Sequence, residues 1–161
     1  MIFEVVPDQS PEIMAVRTTA CLLEERRRDL AARLEPVLAE FPRSLPALTM
    51  LALVQQEGGQ TDRFASTLQQ VISGLPQAGD LALEDRVRLS LVLAVGGQTE
   101  LARVQMRRCM AVLDERRLRR LTPDTLGEFL LLAEKLDVGF PDLRLRMLAI
   151  EFVPPAIRGS H

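Results

Sequence analysis

Tryptophan and tyrosine are absent from this 161-residue chain, and six phenylalanines are its only aromatics. That removes most of the stacking platforms on which single-stranded nucleic acid is held. Histidine occurs once, as the last residue, His161. Serine- or cysteine-type nucleophiles therefore have no internal imidazole to activate them, and a zinc site has no histidine ligand. Cysteine occurs twice, at Cys21 and Cys109, widely separated and each inside an apolar helical pattern. They read as small buried hydrophobes in a reducing compartment, not as a disulfide or a metal pair. Lysine occurs once, at Lys135, so the basic side chains are otherwise all arginine. No apolar run approaches membrane-spanning length. The opening MIFEVVPDQS has neither a basic start nor a long apolar stretch, so it predicts no signal peptide and a cytoplasmic location.

What is present points to helices. Hydrophobic residues make up 47% and charged residues 26%, enough apolar surface for a core and enough charge for a solvated exterior. The net charge of −2 gives no whole-molecule attraction to nucleic acid or to anionic membranes. Leu, Ala, Arg, Glu, Gln and Met dominate, and strand formers are few, which predicts an all-α fold. The closing RGSH matches the start of an engineered polyhistidine tag. That makes His161 foreign and predicts that the chain is a piece of a longer protein.

Stop and start signals recur. Phe41-Pro42 and Leu75-Pro76 each follow an apolar helical run and predict its end. Ser10-Pro11-Glu12, Ser44-Leu45-Pro46 and Thr122-Pro123-Asp124 read as helix entries, placing starts near residues 11, 45 and 123. The offset from Ser10 to Ser44 equals that from Pro42 to Pro76. A fourth start is predicted near Leu83, with Asp80 as its cap. One apolar face is then written three times. Leu30, Leu34, Val37, Leu38 and Phe41 make the first copy. Shifted by that same offset, the slots hold Phe64, Leu68, Val71, Ile72 and Leu75. After a slightly longer second step they hold Ala102, Met106, Cys109, Met110 and Leu113. GGQTD at 58–62 and GGQTE at 96–100 repeat with this second step.

The chain thus parses into four helical hairpins, roughly 10–43, 44–79, 82–118 and 122–153, forming a single domain over 10–153. Residues 1–9 precede it as an extension and 154–161 follow it as a tail. The breaks inside the hairpins are predicted near Glu24–Arg28, Gly58–Thr61, Gly96–Thr99 and Asp137–Pro141. In the first unit, Glu24–Arg28 and Asp29–Arg33 at i, i+4 also fit one continuous helix, and Pro36 predicts a kink or a late start.

A helix, a glycine turn, a second helix and a closing proline, repeated about every 34 residues, resembles the tetratricopeptide repeat family in degenerate form. Gly59 and Gly97 match its turn glycine, Ala52 and Ser90 the small residue of helix A, Ala102 that of helix B, and Pro42 and Pro76 its closing proline. Phe64 replaces the small residue in the second unit, and Asp114 stands where the third unit's proline belongs. The resemblance implies stacked antiparallel hairpins in a right-handed α-solenoid of about four units. It also implies a non-catalytic scaffold that binds a peptide or partner helix on an inner face lined by the first helices. Helical phase and the resemblance together point to Thr49, Gln56, Arg86 and Glu128 there.

No cofactor or metal motif is written in the chain. The paired Glu24-Glu25 neighbours Arg26-Arg27-Arg28 and reads as a self-paired, solvated helix face. The glycine pairs lack a following GK[ST] and a preceding strand, so they read as interhelical turns and not as a phosphate cradle. DERRLRRL at 114–121 offers Arg116, Arg117, Arg119 and Arg120. They read either as a helix end whose arginines complement its dipole or as a patch for an acidic peptide, RNA or an anionic head group. Absent aromatics weigh against RNA. The last unit is apolar on two sides, with Leu143, Met147 and Ile150 on one stripe and Leu145, Leu148 and Phe152 on another. A terminal repeat with a polar outer face would not show this. A next repeat, or a second copy of the chain seated on Leu145, Leu148 and Phe152, would account for it.

Overall fold

The computed structural model describes residues 27–153. The described residues form eight α-helices and no strand. The predicted start near residue 11, Cys21 and most of the first unit's first helix lie outside them. No described helix is long and apolar enough to cross a membrane. The chain divides into two compact units, Met1–Gly79 and Asp80–His161.

In the first unit, α1 spans Arg27–Glu40, α2 Leu45–Glu57 and α3 Thr61–Gly74, followed by a 3₁₀ turn over Leu75–Gln77. Pro36 sits inside α1, with helix described on both sides of it. Pro42 lies in the turn after α1, and the Ser44 hydroxyl accepts from the Ala47 N–H at 3.2 Å to open α2. α1 and α2 pack through Leu30, Leu34, Ala47 and Met50. α2 and α3 form the first complete hairpin, with Phe64, Leu68 and Val71 buried along α3. The small Ala52 is fully buried where α2 meets its neighbours. Gly74 at the end of α3 lies beside Leu45 at the start of α2; a Cβ there would meet Leu45 Cδ1 at 3.3 Å.

In the second unit, α4 spans Leu83–Val95, α5 Thr99–Val112, α6 Glu115–Arg120, α7 Pro123–Lys135 and α8 Leu143–Phe152. α4 and α5 form the second complete hairpin, α4 also packs on α7, α7 on α8, and α6 on α8. Ala102, Met106, Cys109 and Met110 are buried on α5, so the repeated face points inward in both hairpins. The α4 start lacks the predicted Asp80 cap. Ala82 occupies the N-cap and makes no side-chain bond, and Glu84 and Asp85 in the first turn supply the charge that favours a helix start. Glu84 also joins α4 to α7. Its Oε1 accepts from the Thr122 and Thr125 hydroxyls, each at 2.8 Å, while the Thr122 oxygen caps α7 by accepting from the Thr125 N–H. Thr122 thus opens the helix near residue 123 as predicted.

The repeated glycine phrase closes both complete hairpins with one geometry. Gly59 and Gly97 lie at φ +70° and +79°. The Gly59 N–H donates to Gln56 and the Gln60 N–H reaches back to Gln55; Gly97 and Gln98 bond likewise to Ala94 and Leu93. This pairing satisfies carbonyls that the last turn leaves open and needs a left-handed residue at its centre. A third copy closes α7 without glycine. Asp137, at φ 55°, donates its N–H to Glu134, and Val138 donates to Ala133.

The third unit departs from its predicted span of 82–118. α5 stops at Val112, Leu113 is extended, and Asp114 opens α6 by accepting from the Arg117 N–H at 2.8 Å. Leu118, the one buried residue of α6, anchors it. The arginine run is therefore a helix of its own, and not the end of α5.

Candidate functional site

The four residues predicted for an inner face are divided by burial. Thr49 is buried, and its hydroxyl donates to the Leu45 carbonyl at 2.7 Å. Arg86 is buried as well. Its Nη1 donates to Gln105 Oε1 at 2.5 Å inside the α4–α5 hairpin, and burial pulls its pKa below the usual guanidinium value. A charged residue inside a hairpin is held there by its polar partner, and neither Thr49 nor Arg86 presents a surface to a ligand. Gln56, in the first unit, and Glu128, in the second, are exposed. Glu128 stands on α7 with its carboxyl raised above the usual range, first by partial loss of water around it and then by Asp124 one turn earlier, with Lys135 opposing.

The buried polar cluster of α4 and α5 is structural. The Ser90 hydroxyl donates to the Arg86 carbonyl at 2.9 Å. Burial pushes the nearby Cys109 thiol up to about 12, against the pull of Arg86, so it is a protonated thiol at neutral pH and a poor nucleophile.

Three of the exposed large apolar side chains among the described residues lie together on α8, the others being Val95, Val104, Val112 and Leu131. Asp142 opens α8 by accepting from the Leu145 N–H at 2.8 Å, which fixes where the first turn starts. Leu145 and Ala149 are then buried, with Leu148 and Phe152 half-buried beside them. The opposite row, Leu143, Met147 and Ile150, is exposed at 67%, 58% and 38%. This reverses the expected surface. Leu145, Leu148 and Phe152 face the unit's interior, and the other stripe faces out. Ala149, fully buried in the same row as Leu145 and Phe152, marks the inward side of α8.

α6 lies alongside α8 and is fastened to it by two contacts. Arg144 pairs with Glu115, and the Arg119 guanidinium sits 4.8 Å from the centroid of the Phe152 ring. Arg119 also bonds Glu115 at 3.0 Å, and Arg117 bonds Asp114 at 2.7 Å. The Asp114 carboxyl is held below its usual range, first by the Arg117 N–H and then by the charge and hydrogen bond of the Arg117 side chain. Arg117, Arg119 and Arg120 occupy the last turn of α6, where cations complement the helix dipole. All four α6 arginines are exposed. Arg116 and Arg120, together with Arg146 on α8, have no carboxylate within ion-pair distance among the described residues.

The described residues contain no group of three or more His, Cys, Asp or Glu side chains placed to hold a metal ion. The structure thus brings together, on α6 and α8, one apolar row and a set of arginines. The sequence marked the two features separately and placed neither beside the other.

No family model matches the chain, and no curated protein matches it. Among solved structures, the chain is similar to "MamA MSR-1 C2" at 16% identity over 91% of this chain and 79% of that one, with a TM-score of 0.41. That score lies below the level at which two chains are taken to share a fold.

Proposed function

We propose that this chain is a non-catalytic protein-interaction module, a tetratricopeptide-like set of helical hairpins whose contact surface for a partner protein includes the outer face of α8. The carrying observation is the row Leu143, Met147 and Ile150, left exposed on a helix whose opposite row is already used in packing. Contiguous apolar surface of this kind marks interaction sites. The expected inner face contributes less, because Thr49 and Arg86 are committed inside the hairpins. Gln56, in the first unit, and Glu128, in the second, remain exposed.

The test is site-specific photo-crosslinking in the cells that make the chain. A photoreactive side chain at Met147 is expected to give a discrete protein adduct, and one at Glu134, exposed on α7, is expected to give none. Identical patterns from the two positions, no adduct from either, or turnover of a small metabolite by the purified chain would each reject this reading.

A further inference from the structure

We infer that the outer face of α8, together with the arginines around it, receives an acidic amphipathic helix of a partner protein. The inference rests on the interaction reading above and adds the chemistry of the partner. Three observations carry it.

The first is the shape of the apolar row. Leu143, Met147 and Ile150 follow one another at i, i+4 and i+7 along a single exposed helix face. A row with this spacing is complementary to the apolar stripe of another helix laid beside it.

The second is charge. The segments 114–121 and 142–152 hold six arginines against four carboxylates, in a chain whose net charge is −2. Asp114 and Glu115 are already paired with Arg117, Arg119 and Arg144. Arg146 lies on one flank of the apolar row. On the other flank Arg144 is paired with Glu115 of α6 and the exposed Glu151 stands on the same side, while Arg116 and Arg120 are exposed on α6. An apolar row with the unpaired Arg146 on one flank and the unpaired Arg116 and Arg120 on the adjacent helix is matched by an apolar stripe flanked by carboxylates, which arginine binds in bidentate fashion.

The third weighs against an antiparallel pairing with a second copy. A second copy bound by a two-fold axis through the middle of the row would set the two Arg146 side chains against each other, since the row is centred between Arg146 and Met147. Like charges at the centre of an isologous contact oppose it. RNA fits less well still, because it would satisfy the arginines and leave the apolar row uncovered.

The probe is a displayed library of short helical peptides, each about four turns long, selected on the full chain and counter-selected on the Met147→Glu variant. Met147 is exposed, so that variant keeps the fold, and the unchanged circular dichroism melt of each variant confirms it. Enriched sequences are expected to combine Leu, Met or Phe at i, i+4, i+7 spacing with flanking Glu and Asp. A synthetic winner is expected to lose about tenfold in affinity in an Arg116→Ala, Arg120→Ala, Arg146→Ala variant, and a similar factor between low and physiological salt. Winners that need Met147 but are neutral or basic overturn the acidic partner and leave the interaction reading standing. A concentration-dependent dimer abolished by Met147→Glu assigns the face to a second copy and overturns it too. Retention of a single-stranded RNA that depends on the arginines and not on Met147 overturns it in favour of nucleic acid. A strictly monomeric chain that selects no peptide at all overturns both this inference and the reading beneath it.

Discussion

Thr67 donates its hydroxyl proton to Gln55 Oε1 at 2.6 Å inside the α2–α3 hairpin. Gln105, which fills the slot of Thr67 one repeat later, accepts from Arg86 at 2.5 Å inside the α4–α5 hairpin. Each hairpin therefore carries a buried polar pair at the same level of its second helix, built from different chemistry. Thr67→Val preserves the shape and leaves the Gln55 oxygen without its donor, at a cost of about 1–3 kcal/mol. Adding Gln55→Leu is expected to recover most of that loss. Urea denaturation of the two variants checks it, and a single variant as stable as the parent would contradict the assignment.

The three left-handed turns predict changes of opposite sign. Gly97→Ala is expected to cost about 1–2 kcal/mol, all of it conformational, because nothing lies within 4 Å of a Cβ built there. Asp137→Gly is expected to gain about 0.5 kcal/mol, since glycine adopts φ 55° without the penalty a side chain incurs. Thermal melting of both variants decides the point. A loss of stability on placing glycine at 137 would mean that the aspartate side chain holds the turn.

These turns show what could be read in advance. Gly59 and Gly97 were legible because a left-handed residue selects glycine, and the step between them located the other repeated slots. Asp137 adopts the same backbone with a residue that leaves no such mark, so the sequence predicts a break over 137–141 without singling out the residue that makes the turn. Arg86 read as a surface residue because a charge is normally solvated. What buries it is Gln105 on the next helix, and no local pattern announces that pairing. The break at Leu113-Asp114 was hidden by the arginines, which look the same at the end of one helix as along the whole of a short one. On α8, two stripes of similar hydrophobicity carry no local sign of which one faces inward, and the stripe expected to face out, Leu145, Leu148 and Phe152, is the one the structure turns inward.

Substitutions on the two faces of α8 should separate cleanly. Leu145→Ala removes buried volume and is expected to cost about 2–4 kcal/mol. Met147→Ser, on the exposed row, is expected to stay within about 0.5 kcal/mol of the parent. Chemical denaturation measures both. Equal losses would show that α8 is rotated relative to the faces described above.

Cys109 should be inert in the folded chain. Its thiol is protonated up to about pH 12, whereas in the unfolded chain it ionises near the ordinary thiol value. The unfolded state therefore gives up a proton that the native state keeps. Stability from this group is full below the ordinary thiol value and falls as pH rises from there toward 12. Alkylation followed by mass spectrometry of the Cys109 peptide is expected to show no modification in mildly alkaline buffer and complete modification in denaturant. Rapid labelling under native conditions would contradict the burial of this side chain.

The reversal of each complete hairpin is confined to the glycine phrase itself, from the Gly58 or Gly96 end of one helix to the first turn of the next. Its two return hydrogen bonds reach back no further than the helix just completed. Nothing in that closure depends on residues far away in the sequence. A segment copied from one glycine turn to the next would carry its own helix ends, its own bend and its own inward-facing slots. The number of hairpins can therefore change by duplication or deletion of one such block, leaving untouched side chains such as Met147 and Arg146 that take no part in the bend.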